Sequence, residues 1–207
     1  DYYPRQYTYF AKYYPKNIAN SLHGKRVREF CRDNYGVLWI GTEDGGLNRF
    51  NLNTKEFSFF APSAGFTNIH GLCLVDDKLW VGTFSKGLKI IDTRTGTVLK
   101  TYQKNSSPRS LIDNSIFAIC RTATGDIYLG TMFGLVKYNK QSDDFDRIPE
   151  LNGKFVYDIK EDSGGNIWLA TYANGAYCYN VNDRKWKNYV HDEKDTTSLS
   201  YNKVSSI

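Results

Sequence analysis

Short runs in which apolar and polar residues alternate fill most of the chain, separated by clusters of Gly, Asn, Asp and Ser. Period-two runs bounded by turn residues predict half-buried strands joined by hairpins. No stretch sustains the 3.6-residue apolar period of a helix. The runs recur in a fixed order. A β-branched starter opens the first of each set: VREFCRD from Val27, IHGLCLV from Ile69, IFAICRT from Ile116 and VYDIKED from Val156. A polar or Gly-containing turn leads into a second and third run, GVLWIGTEDGGLNRFN (36–51), KLWVGTFSKGLKIID (78–92), DIYLGTMFGLVKYN (126–139) and NIWLATYANGAYCYN (166–180). A fourth run closes each set: EFSFF (56–60), VLKTY (98–102), DFDRI (144–148) and KWKNY (185–189).

Four-stranded units returning every 40 to 48 residues are the mark of a β-propeller. The predicted fold is all-β: one propeller segment over residues 1–207, with four complete four-stranded blades at about 27–60, 69–102, 116–148 and 156–189. Partial blades are expected at both ends, 1–14 and 198–207. QYTYF (6–10) reads as the outer strand of a preceding blade, and Val204–Ile207 as the opening of a further inner strand. These orphan strands lack the middle strands that would close a ring, so the segment is expected to belong to a larger propeller or to associate through open blade faces. The connectors SLHGKRV (21–27), SLIDNSI (110–116) and SLSYNKV (198–204) share Ser-Leu, and the other two lack it.

The register assigns structural work to the repeated residues. Trp39, Trp80, Tyr128 and Trp168 share one position in the second strand and are expected to fill the gap between neighbouring blades. Gly41, Gly82 and Gly130 become close-approach positions without room for Cβ. Thr42, Thr83, Thr131 and Thr171 are expected to hydrogen-bond within their blades. Cys31, Cys73 and Cys120 fall in successive inner strands, with Lys160 in the fourth place. Sheets packed about 10 Å apart cannot bridge such positions by disulfides, so these thiols, with Cys178, are expected to be free. His23, His70 and His191 share no metal spacing, and DDFD (143–146) lacks the spacing of a calcium loop. Asp33 and Asp162 stand six residues before a Trp with Gly between, a spacing that resembles the Asp-box hairpins of sialidases and so implies a turn-stabilising rather than a catalytic role.

Composition narrows the function classes. The chain is 41% hydrophobic, 24% charged and 15% aromatic, a soluble strand-rich composition. No apolar run approaches the roughly 18 residues of a membrane span. The net charge of +5 carries no nucleic-acid reader motif, so no nucleic-acid partner is expected. The one basic cluster, Lys25, Arg26, Arg28 and Arg32, is interrupted by Glu29. No nucleophile elbow, phosphate loop or acid/base pair is evident. Glu29 and Asp158 share a register but lie three blades apart without evident partners.

GVLWIGTEDGGLNRFN, with NSL ahead of the inner strand, resembles the two-component regulator propeller repeat. The likeness extends to the periplasmic sensor regions of hybrid two-component systems in glycan-degrading bacteria. The resemblance covers about residues 17–207, with Ala170 replacing Gly and Tyr128 replacing Trp. It implies a seven-bladed parent propeller in a periplasmic sensor that detects an oligosaccharide and switches on polysaccharide-utilisation genes. It also implies a homodimer of the full-length sensor, and a transmembrane helix and histidine kinase elsewhere in the same polypeptide. For this segment no catalysis, cofactor or metal is expected, and an oligosaccharide ligand is, with the positive charge favouring an acidic one.

Loops carry function on repeated scaffolds. The turns between second and third strands differ most: EDGG (43–46), FSKG (84–87), MFG (132–134) and YANG (172–175). Phe84, Phe133 and Tyr172 could stack on a sugar ring. Glu43, Lys86 and Asn174 could bond hydroxyls or an anionic substituent, with Arg26, Asn114 and Lys203 approaching from the connectors. The alternative is a protein-interaction or dimerisation scaffold without a small-molecule site. A glycosidase or lyase would instead need a convergent pair of titratable residues in the central funnel.

Overall fold

A computed structural model describes residues 11–16, 18–60 and 65–207. Sixteen strands form among them, in four antiparallel meanders. The first sheet holds β1 (Val27–Arg32), β2 (Val37–Thr42), β3 (Gly46–Asn51) and β4 (Phe57–Phe59). The second holds β5 (Ile69–Val75), β6 (Lys78–Thr83), β7 (Leu88–Asp92) and β8 (Val98–Tyr102). The third holds β9 (Ile116–Arg121), β10 (Ile127–Thr131), β11 (Gly134–Asn139) and β12 (Asp144–Arg147). The fourth holds β13 (Val156–Glu161), β14 (Ile167–Thr171), β15 (Ala176–Asn180) and β16 (Lys185–Tyr189). Inner strands β1, β5, β9 and β13 touch in succession, and the second strand of each sheet meets the first strand of the next. The sheets thus stack around an axis as blades, an arc of a β-propeller.

Each junction between blades has its own apolar core. Trp39 packs with Ile69, Leu72 and Leu79; Trp80 with Leu111, Ile116 and Leu129; Tyr128 with Leu151, Val156 and Leu169. Trp168, facing no further blade among the described residues, is only half-buried and stacks on Tyr189, centroids 5.5 Å apart. The close approaches are as read from the register. A Cβ at Gly41, Gly82 or Gly130 would lie 2.7 Å from a γ-carbon of Ile69, Ile116 or Val156, the starter of the next blade. The four threonines close their turns: Thr42, Thr83, Thr131 and Thr171 Oγ1 donate to the carbonyls of Gly46, Gly87, Gly134 and Gly175.

The serine of each Ser-Leu connector also repeats one job. The hydroxyls of Ser21, Ser110 and Ser198 accept the backbone N–H of Lys16, Asn105 and Asp192, tying down the loop before the next inner strand. All four cysteines are free. Burial pushes the Cys31 thiol up to about 12 and Cys73 to about 11, so both are small apolar residues rather than nucleophiles. In DDFD, Asp143 takes the hydroxyls of Tyr102 and Tyr138 and the ammonium of Lys100, while Asp144 and Asp146 pair with Arg109.

The ends are less regular than expected. QYTYF lies outside the described residues. Val204–Ile207 forms no strand. It instead runs beside the fourth blade, with the Val204 N–H donating to the Thr171 carbonyl and the Ser206 hydroxyl to Asp158 Oδ2. No described strand pairs with it in the way β2, β6, β10 and β14 pair with β1, β5, β9 and β13. At the other end, the starter Val27 is 37% exposed on β1, while the starters Ile69, Ile116 and Val156 are fully buried.

Candidate functional site

The same irregularity occurs at the top of every inner strand. Thr42 pairs with Val27 but Gly41 with Glu29; Thr83 pairs with Ile69 but Gly82 with Gly71. Thr131 pairs with Ile116 but Gly130 with Ala118; Thr171 pairs with Val156 but Ala170 with Asp158. One extra residue therefore sits in a β-bulge in each blade: Arg28, His70, Phe117 and Tyr157. A bulge bends its strand and re-aims the side chain it carries. All four line one cavity of about 280 Å³ at the axis, where Glu29, Asp158 and Lys160 also gather.

Aromatic rings continue from this cavity across three blades. Phe117 lies 4.6 Å from His70, 4.4 Å from Phe155 and 5.6 Å from Tyr157, measured between centroids. Phe84 meets Phe117 edge-on at 5.9 Å. Tyr172 stacks on Phe155 at 5.5 Å and 22°, and the Lys203 ammonium lies 4.7 Å from its ring centre. Beside the ring series stands a charged corner, with Glu43 paired to Arg26 at 3.2 Å and to Arg28 at 2.7 Å.

The titratable groups are tuned by this setting. Burial, with the Arg28 charge, lowers the His70 pKa to about 4 against the opposing pull of Glu43, so the ring is neutral at pH 7. With Nε2 protonated, it donates to Asn68 Oδ1 at 2.8 Å and leaves Nδ1 as an acceptor. Burial raises the Glu29 carboxyl above its usual range, opposed by the Phe30 N–H and Lys160 and reinforced by Asp158. Glu29 and Asp158 are therefore not isolated from each other, as their spacing in sequence suggests: the curvature of the arc brings both to the axis. Nor is Asp158 without partners, since it holds Ser206, the Ile207 N–H and, at 3.6 Å, Lys160.

Neutral His70 has a consequence for stability. The unfolded chain takes up a proton at its ordinary pKa of 6.5, which the folded ring resists down to about 4. Stability is complete above pH 6.5 and falls between there and pH 4, by about 1–2 kcal/mol once solvent screening of the half-exposed ring is allowed for. Urea midpoints at pH 7 and pH 5 measure this. His70→Gln is expected to flatten the difference, and an unchanged slope in that variant would assign it to other groups.

Of the turn and connector residues singled out from the sequence, Arg26, Glu43, Phe84 and Tyr172 lie around this mouth. Phe133 is 51% exposed on its turn and touches no other ring among the described residues. Lys86 and Asn174 occupy turn positions where their own N–H groups donate to Thr83 and Thr171 Oγ1. Asn114 is a tie: its side chain accepts the Lys104 N–H and its carbonyl the Gly87 N–H. The sequence did not single out Phe117, Phe155 or Tyr157, and it brought up Arg28 only in a basic cluster and His70 only as a histidine without metal spacing. Apart from Phe155, their signal was the column directly after each β-branched starter, occupied by Arg, His, Phe and Tyr.

The fold and its mouth define the class: a β-propeller segment with an aromatic, mixed-charge funnel at its axis. Residues 21–44, 110–133 and 150–173 match the family described as Two component regulator propeller, each from a connector or loop through the first two strands of a blade into the following turn. Histidine kinase P4 of Formosa agariphila is 33% identical over 147 residues, covering 65% of this chain and 11% of that protein. The extracellular domain assigned to a hybrid two-component system of B. thetaiotaomicron has a TM-score of 0.65 at 19% identity, over 95% of this chain and 31% of that one. PorZ, a surface component of the type-IX secretion system of Porphyromonas gingivalis, has a TM-score of 0.70 at 18% identity, over 93% and 31%. The chain spans about a tenth of the curated relative's length. It resembles the extracellular sensor regions of hybrid two-component histidine kinases. Propellers of similar fold include signalling and surface components and also an enzyme, virginiamycin B lyase of Staphylococcus aureus.

Proposed function

We propose that this chain is part of the periplasmic ligand-sensing propeller of a hybrid two-component signalling protein, and that its axial mouth binds an oligosaccharide. The observation that carries the proposal is the set of four bulges, which aim Arg28, His70, Phe117 and Tyr157 into one cavity. The ring series from Phe84 to Tyr172 offers apolar faces for pyranose rings. The His70 acceptor, the Arg28 guanidinium and the axial carboxylates offer hydroxyl partners at fixed positions. In this proposal the segment is not catalytic. Its parent is a seven-bladed propeller in a homodimeric membrane sensor, and occupancy biases the kinase toward expression of polysaccharide-utilisation genes.

The test is thermal unfolding of the chain with a panel of neutral and acidic oligosaccharides. A ligand at 100 times its Kd stabilises by about 2.7 kcal/mol, a visible rise in Tm. Phe84→Ala and Tyr172→Ala, both at exposed positions, are each expected to weaken binding about tenfold, or about 1.4 kcal/mol. Phe133→Ala is expected to change nothing. Equal effects from all three would place the ligand on the turns at large. No stabilisation by any glycan would leave the docking scaffold as the better reading, and release of cleaved sugar would make the segment an enzyme.

A further inference from the structure

Two of the three second-strand tryptophans are capped. Trp39 Nε1 donates to Asp33 Oδ2 and Trp168 Nε1 to Asp162 Oδ2, both at 2.9 Å. Each aspartate sits at the start of its blade's first turn and also accepts two backbone N–H groups there, from Tyr35 and Val37 or from Gly164 and Asn166. The second blade is built differently. Its β5–β6 hairpin turns within two residues, Asp76 and Asp77, with Asp76 in the left-handed region at φ 55°. The position six before Trp80 is therefore Leu74. Trp80 is 5% exposed, and its indole N–H has no acceptor among the described residues.

Trp80 lines a cavity of about 740 Å³ between the second and third blades. The cavity opens on the face that carries the first and third turns of the blades, away from the axial mouth. Its apolar wall includes Tyr138, which meets Trp80 edge-on at 4.9 Å. The charged groups around it do not balance. Lys137 is held by Asp126 at 2.8 Å, Arg121 lies 3.9 Å from Asp76, and Asp146 is already engaged by Arg109 at 2.9 Å. Lys78 and Lys140 have no carboxylate partner among the described residues.

We infer that this cavity is a second ligand site, distinct from the axial mouth, and that it takes an acidic sugar unit. The ring is nearly buried but its N–H is not sealed, so it is a donor that a ligand oxygen in the cavity can take over from water. The two free lysines call for a carboxylate or sulfate in the same ligand. A space of this size is that of a small-molecule site and far larger than a simple anion fills. The Tyr138 ring, with the amides of Asn139 and Gln141, suits a sugar that presents both C–H groups and hydroxyls.

The indole N–H signals in a ¹H–¹⁵N spectrum of the chain test this directly, because Trp39 and Trp168 serve as capped controls. Trp80→Phe assigns the signal by deleting it. On titration with D-glucuronate, the Trp80 signal is expected to shift and saturate, while those of Trp39 and Trp168 stay in place. D-glucose and inorganic sulfate are expected to move it little. Lys78→Ser with Lys140→Ser, both on the surface, should weaken glucuronate about tenfold. A Trp80 signal unmoved by glucuronate overturns the inference. So does one that moves equally with sulfate, which would be charge attraction alone, or equally with glucose, which would remove the acidic class. None of these outcomes bears on the axial mouth, which is read through Phe84 and Tyr172.

Discussion

Trp39→Ala is expected to destabilise the chain by about 3–5 kcal/mol, and Trp168→Ala by clearly less. Both indoles occupy the same register and make the same bond to an aspartate six residues earlier. Each pair also braces its own turn, and the bonds to Trp168 and Asn166 hold Asp162 down to about 2. The difference between them is packing. Trp39 is fully buried in the junction with the second blade, with the Phe60 ring 5.8 Å away and the Arg49 guanidinium 5.0 Å from its ring centre. Truncation leaves a cavity there, removes a donor from the buried Asp33 carboxylate and uncovers Arg49, whose Nε already lacks a partner. Trp168 faces no neighbouring blade among the described residues. Urea denaturation of both variants, read as a change in midpoint at constant m-value, isolates the contribution of the blade junction. Equal losses would mean that the hairpin, rather than the junction, is what the aromatic stabilises.

This contrast also explains which parts of the molecule were legible in the sequence. A residue that does one job in every blade appears as a column: the tryptophans, the close-approach glycines and the turn-closing threonines all did, and each has the role its column implied except Trp168, which meets no further blade among the described residues. The mouth is built the opposite way. A bulge is a backbone event, and its position after the starter is constant while its occupant changes from Arg28 to His70, Phe117 and Tyr157. A single asymmetric pocket needs that variety, and variety erases the column. Divergent turns looked like the better place for a site, yet Lys86 and Asn174 sit where the turn itself is being closed. The meeting of Glu29 and Asp158 depends on the curvature of the arc, which no local spacing encodes. The open groove at Trp80 does have a sequence sign, Leu74 where two other blades carry Asp, but its meaning requires knowing what that Asp holds.

Gly82→Ala is expected to cost about 2–3 kcal/mol, because the added methyl carbon would lie 2.7 Å from Ile116 Cγ2 and 3.2 Å from the Ile116 carbonyl oxygen. Ile116 is fully buried, so neither blade can yield without opening the core between them. Ile116→Ala alone leaves a cavity and costs a similar amount or more. If close approach is what demands glycine, the two changes relieve each other. The methyl then occupies space vacated by Cγ2, and the double variant is more stable than the sum of the singles predicts by at least about 1 kcal/mol. Gly125→Ala provides the comparison. That glycine sits at φ 88°, and a methyl added there would meet no atom within 4 Å, so its loss of about 1 kcal/mol is purely conformational. It should show no coupling to Ile116. Additive losses at Gly82 and Ile116 would separate the repeated glycine from blade packing and return it to a local turn or strand preference. Coupling at Gly82 alone would make the Gly–starter contact the joint that sets the spacing of successive blades, and so the width of the funnel at their axis.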